Sequence, residues 1–270
     1  MTYLFDQAIA LQKDANATGH YSGATHPAWM NMVGPFGGIT GAALLQAVLQ
    51  HPQLLGEPVA MTVNFCAALA DGAYQVQAKP VRTNRSTQHW TMQITQNGET
   101  VITGTAMTAV RRQTWSAQDE PMPLLGKPND YDQGTSPLPW TQRYEMRVVM
   151  GPLPSIWDGT QDRSLTQLWV RDAQQRALDM ASLAALCDVF FPRVYIRRAK
   201  LVPIGTVSLT TYFHCDAAQL AELPIDKGGF VLGQARALNF RNGFFDQTAL
   251  VWSANGHLLA STHQIVYYKE

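Results

Sequence analysis

Cysteine is scarce, with three residues in 270, Cys66, Cys187 and Cys215. They are odd in number and form no CxxC pair, which excludes a disulfide framework and favours a reducing compartment. Charge is also sparse and balanced. Twenty Lys+Arg stand against twenty Asp+Glu, and charged residues make up 15% of the chain. A broad nucleic-acid surface needs a basic excess, so no nucleic-acid partner is expected; only a local basic patch for a small anion remains open. No run of about 18 uninterrupted apolar residues occurs, which removes a membrane-spanning helix. The opening MTYLFDQAIALQKD has no basic leader and carries Asp6 inside its apolar stretch. A secretory signal is therefore not expected, and the cytoplasm is the expected location.

Several chemical signatures are missing as well. There is no GxSxG elbow of a serine hydrolase and no Walker loop. Gly34, Gly37, Gly38 and Gly41 have the wrong spacing for a dinucleotide fingerprint. The seven histidines form neither HExxH nor a metal-ligand spacing with cysteine or carboxylate. His214 and Cys215 are adjacent on a strand-like stretch and would face opposite ways. No cofactor and no metal are expected.

Apolar residues make up 46% of the chain, enough for a sizeable core, and the length favours two domains or one large α/β unit. A seam falls between residues 111 and 140, where Pro121, Pro123, Pro128, Pro137 and Pro139 alternate with Gly126 and Gly134. Proline removes backbone donors and fixes φ, so this stretch reads as a linker. The chain divides into a first domain at 1–112, a linker at 113–140 and a second domain at 141–270.

Both halves repeat one order of elements. In the first, GPFGGITGAALLQAVLQH predicts a helix through Ile39, Ala42, Ala43, Leu45, Ala47 and Leu49. Strands are predicted in AMTVNFCAAL, YQVQAKPVRTN and HWTMQITQNGETVITGTAMTAV, with Asn97-Gly98 as a hairpin turn. In the second, QQRALDMASLAALCDVFF predicts a helix stopped by Pro192. Strands follow in TVSLTTYFHC, GFVLGQARALNF and QTALVWSANGHLLASTHQIVYY, with Asn255-Gly256 at the matching turn. TQNGETVITGTA and SANGHLLASTHQ overlay at an offset near 158 residues, so the chain reads as a duplication.

Three polar residues stand in apolar settings. Asp188 closes SLAALCD ahead of Val189, Phe190 and Phe191, where desolvation would raise a carboxyl pKa. An exposed helix-end aspartate reads equally well from pattern alone. Gln264 lies in an alternating strand and could face core or solvent. Thr206 stands among several threonines and carries no signal by itself.

The segments FGGITGAALL, LWVRD, LCDVFFP, GTVSLTTYFH and NGHLLASTHQ, in this order, resemble the acyl-CoA thioesterase II group of double hotdog proteins. The resemblance spans both halves and is most specific in the C-terminal third. It implies an α+β fold of two tandem hotdog domains, each a long helix wrapped by a curved antiparallel sheet. It also implies hydrolysis of an acyl-CoA or similar thioester, and a homodimer or higher even assembly. Carried over by motif, the catalytic residues fall on Asp188, Thr206 and Gln264. In the first half Ala106 or Met107 answers to Gln264, and Gln46 lies near the place of Asp188, which implies one active site per chain.

Asp188 would then act as general base on a water held by Thr206 and Gln264, both of which donate and accept. Direct attack by Asp188 through a mixed anhydride stays open. Oxyanion donors are expected among backbone N–H groups at the start of a central helix. Arg193, Arg197, Arg198 and Lys200 are the candidate phosphate ligands, with Arg82 and Arg85 a weaker second group. Ile39 stands where the family often has glutamine, and VFFPR is unusually aromatic, so the acyl group is left open. Two other readings stand beside the hydrolase: a hotdog module that binds a thioester or apolar ligand, and a hotdog dehydratase or hydratase. The latter needs a His with an acidic partner, and neither His214 nor His263 has an evident one in the sequence.

Overall fold

In the computed structural model the described residues are 2–134, 136–157, 159, 161–223 and 229–270. The first half contains α1 (Leu4–Ala8), β1 (Gln12–Lys13), β2 (His20–Ala24), α2 (Gly37–Leu49) and β3 (Glu57–Phe65). It continues with β4 (Ala73–Thr83), β5 (Thr87–Gln96) and β6 (Glu99–Ala109). The second half contains β7 (Tyr144–Met150), β8 (Thr166–Asp172), α3 (Met180–Leu186), α4 (Arg193–Arg197) and β9 (Ile204–Phe213). It closes with α5 (Ala217–Ala221), β10 (Val231–Arg236), β11 (Phe240–Arg241), β12 (Phe244–Ser253) and β13 (Leu258–Tyr268).

All these strands join one antiparallel sheet in the order β1-β2-β4-β5-β6-β3-β9-β13-β12-β10-β8-β7, with β11 paired to β12. The order is a mirror about the β3–β9 seam: β6 answers to β13, β5 to β12, and β4 to β10. At the seam Ala60 pairs with Tyr212 and Asn64 with Ser208, and the Thr62 and Thr210 hydroxyls meet at 2.9 Å. Each half is thus a helix against its own meander, and the two meanders are fused edge to edge.

Local sequence explains most elements. Ile39, Ala42, Ala43, Leu44, Leu45, Ala47 and Val48 are all buried, so α2 is apolar around most of its circumference and sits inside the sheet. In β5 the residues Gln88, Trp90, Met92, Ile94 and Gln96 turn inward at strict period two. Asn97 and Gly98 both have positive φ, 53° and 82°, the type I′ geometry of a two-residue hairpin.

Some expectations are corrected. Asn255-Gly256 does join β12 to β13 at the place matching Asn97-Gly98, but in a wider turn, where only Gly256 has positive φ and Ser253 and His257 still pair. The tight Asn-Gly turn of the second half is instead Asn242-Gly243, between β11 and β12. The helix expected over 174–191 is helical only at Met180–Leu186. Asp172 draws the N–H groups of Gln174 and Arg176 into a turn, and Asp179 caps α3 through the Ser182 N–H. Strands β7 and β8 are additional to the predicted elements. Residues 113–140 hold no strand among those described, and they cover the outer face of the second half. Met122, Leu125 and Tyr131 pack on Trp169, Phe230, Leu232 and Trp252, and Trp169 Nε1 donates to Gly126 O at 3.0 Å. No helix among the described residues is long and apolar enough to cross a membrane.

Candidate active site

Asp188 follows the α3 C-cap, Cys187, in a tight turn that continues the helix by two i→i−3 bonds, Asp188 N–H to Ala185 O and Val189 N–H to Leu186 O. Its carboxylate lies against the N-terminus of α2, an element of the other half. A Cβ placed on Gly37 would stand 2.8 Å from Asp188 Oδ2, so a side chain there would have to displace the carboxylate. The Gly38 N–H lies close enough to the carboxylate to favour its ionised form. Phe36 offers no side-chain cap, so the first N–H groups of α2 are free of helix-internal partners and face this site.

Gln264, on β13, is 4% exposed and its Nε2 donates to Asp188 Oδ1 at 2.8 Å. Burial is the largest influence on the Asp188 carboxyl and pushes it up to about 7, against the opposing pull of Gln264 and the Gly38 N–H. Asp188 itself keeps a partial opening to solvent.

Thr206 reaches the same face by an irregularity. Gln264 pairs with Leu209 and Ile265 with Ser208, but Val266 pairs with Thr206, so Val207 bulges out of register. Without the bulge Thr206 would face outward; with it Thr206 shares the inner face of Val266 and Gln264. No hydrogen bond links Thr206 to Asp188 or Gln264 among the described residues. It stands diagonally from Gln264, about 7–8 Å away by sheet geometry. In the first half the register selects Ala106, not Met107, as the counterpart of Gln264. Ala106 is buried between Met61 and Trp90, whereas Met107 faces the other way.

The four basic candidates separate. Arg193 is 0% exposed and cannot meet a solvent-borne phosphate. Its guanidinium is spent inside, on Gln247 Oε1 at 2.9 Å, Ser164 O at 2.8 Å, Thr166 Oγ1 at 2.8 Å and the Phe191 carbonyl. Burial without a carboxylate pushes it down to about 9, still charged at neutral pH. Arg197, Arg198 and Lys200 are exposed. Arg198 and Lys200 share Glu270, at 2.7 and 3.0 Å. Arg197 and Arg198 also line a cavity of about 870 Å³ together with Arg163, Arg236, Phe240 and Tyr268. Arg82 is exposed on β4 and donates to Asn84.

His263 does have an acidic neighbour that the sequence did not reveal, Asp246 Oδ2 at 3.4 Å. Both lie on the outer face of the sheet, opposite to Asp188 and Gln264. His214 meets the Ser261 hydroxyl at 2.9 Å. Among the described residues no group of three or more His, Cys, Asp or Glu is placed to hold a metal ion.

A duplicated helix-and-meander unit with one carboxylate at the start of the opposite unit's helix is the architecture of a double hotdog protein. The chain belongs to the acyl-CoA thioesterase family, whose N-terminal domain matches residues 26–109 and whose C-terminal domain matches residues 116–268. It is thereby a thioester hydrolase by family. A hot dog fold protein of unknown function from Alicyclobacillus acidocaldarius is 44% identical over 100% of this chain and 99% of its own, with a TM-score of 0.92. An acyl-CoA thioesterase II from Mycobacterium marinum shares the fold at 14% identity and a TM-score of 0.75, covering 98% of each chain. A 12:0-ACP thioesterase from Umbellularia californica is more remote, at 9% identity and a TM-score of 0.52, over 93% of this chain and 94% of its own. No match was found among the curated proteins.

Proposed function

We propose that the chain hydrolyses an acyl thioester to acid and thiol, with Asp188 as general base toward a water positioned by Gln264 and Thr206. The observation that carries this reading is the Gln264–Asp188 hydrogen bond at the start of α2. A carboxyl near 7 is matched to proton abstraction at neutral pH, since a base works best when its pKa lies close to the working pH. The free N–H groups at the start of α2 are the donors suited to the developing oxyanion. A thiol leaves near its own pKa of about 8.5, so no strong general acid is required.

Asp188→Asn keeps the side-chain shape and removes the base. In a free-thiol release assay over a panel of acyl-CoA substrates its kcat should fall by about two to four orders of magnitude. Substrate affinity should hold, and Thr206→Ala and Gln264→Ala should each cost less. Wild-type turnover by Asp188→Asn would defeat the assignment. Tight acyl-CoA binding by a wild type without turnover would favour the binding-module reading.

Coenzyme A is the proposed thiol carrier, and the cavity beside Arg197 and Arg198 is the proposed place for its phosphates. Replacing both arginines by glutamine should raise KM for acyl-CoA and leave KM for a short thioester without the nucleotide unchanged. Equal effects on both would point to misfolding instead. The expected even assembly has a candidate surface in Phe244, Ile265, Tyr267 and Tyr212, which expose large apolar groups on the outer face of the second half. Light scattering should give at least a dimer.

A further inference from the structure

Gln247, on β12, stands directly opposite Gln264 in the β12–β13 ladder. The two side chains share the inner face, 3% and 4% exposed. Opposite residues of an antiparallel pair hold their Cβ atoms about 4.5–5.5 Å apart, so the two carboxamides are neighbours.

Arg193 determines how the Gln247 amide is turned. Its Nε donates to Gln247 Oε1 at 2.9 Å, and a guanidinium cannot accept, so the amide atom facing it must be the oxygen. Its Nη1 reaches Ser164 O, Thr166 Oγ1 and Ala235 O, on the β8 and β10 side of Gln247, while Nη2 donates to the Phe191 carbonyl. A planar carboxamide with its oxygen toward β10 directs its nitrogen away from β10, toward β13 and Gln264. Neither Gln247 Nε2 nor Gln264 Oε1 has a hydrogen-bond partner among the described residues. Neither atom is fully enclosed, so each half-paired amide stays open to a small polar partner. In the first half the corresponding cross-strand pair is Trp90 and Ala106, so the half without the acid has neither amide.

We propose that Gln247 is a further residue of the Asp188 site, and that Arg193 is a positioning residue that aims it. Gln247 Nε2 adds a donor to the seat of the attacking water that Gln264 Oε1 and Thr206 line, beside the carboxylate that Gln264 holds. The water oxygen accepts from Gln247, and one of its protons points to Gln264 Oε1. The other proton passes to Asp188 as the oxygen bonds to the thioester carbonyl carbon. Collapse of the tetrahedral intermediate then breaks the C–S bond, and the electron pair leaves on the thiolate. The proposal rests on Asp188 being the base.

Two variants test it. Gln247→Glu keeps an acceptor for Arg193 and removes the donor. The double variant Arg193→Met with Gln247→Leu removes cation and acceptor together, so neither is left unpaired in the interior. Steady-state rates on the best acyl-CoA of the panel are read on the high-pH plateau, where Asp188 is ionised in each protein. Thermal melts are taken alongside. Both variants should melt cooperatively near the wild type, with kcat lowered ten- to a hundredfold and KM changed less than threefold. Wild-type plateau kcat in either folded variant overturns the proposal, and the double variant carries the test if Gln247→Glu does not fold. Inactive Asp188→Asn beside a fully active Gln247→Glu defeats this proposal alone. A fully active Asp188→Asn defeats the base assignment and this proposal with it.

Discussion

Asp188 is the residue whose environment departs most from that of an ordinary carboxylate, and two measurable consequences follow from that. With Asp188 as the proposed base and its pKa near 7, kcat/KM should rise with pH and level off above about 7, since only the ionised form takes a proton. The same shift is a stability statement. The unfolded carboxyl ionises near 3.8 and the folded one near 7, so between these values the native state binds more protons and stability falls as pH rises. Asp188→Asn removes that cost. Its melting temperature at pH 8 should exceed the wild type by roughly 3–6 °C, with the gain shrinking toward pH 4 in parallel calorimetric scans. Asp188 and Gln264 could be proposed from the sequence because the segments that carry the family resemblance stand in order around them. Arg193 was not, because four cations within residues 193–200 look alike until α4 buries one of them beneath the sheet.

At the scale of the element, the start of α2 serves two purposes at adjacent positions. A Cβ on Gly38 would collide with the Ala185 carbonyl and the Phe36 ring, so Gly38 lets α2 and α3 approach closely. A Cβ on Gly37 would meet Asp188 Oδ2 at 2.8 Å and the Phe65 ring at 3.3 Å. Gly38→Ala should therefore lower stability, by about 1–3 kcal/mol in chemical denaturation, because backbone must move. Gly37→Ala should spare most of that stability and depress kcat, because it displaces the carboxylate. A melting curve and a rate on each variant separate the two. The sequence shows the glycine pair but not which glycine faces which neighbour, since that depends on how α2 is rotated against a helix about 140 residues away.

At the scale of the whole molecule, the proposed site is built from two halves. Asp188, Gln264 and Thr206 come from the second, while the helix start that receives the carboxylate comes from the first. The seam from β3 to β9 holds them in register. A fragment covering 113–270 would expose the β9 edge and lose the α2 N-terminus. It should be inactive and poorly folded by circular dichroism, and full activity of that fragment would refute the shared-site architecture.

Sequence alone determined the period-two strands, the apolar helix of the first half and the tight turn at Asn97-Gly98, because each is a local pattern read over a few residues, and the duplicated order, because those patterns recur in the second half. It also carried the types of the three residues proposed for the site. Tertiary structure decided that Val207 bulges and turns Thr206 inward, that Ala106 rather than Met107 answers to Gln264, and that Arg193 is spent on Gln247. Each of these depends on strand register or on contacts across tens of residues, and a one-residue change of register turns a strand side chain to the opposite face.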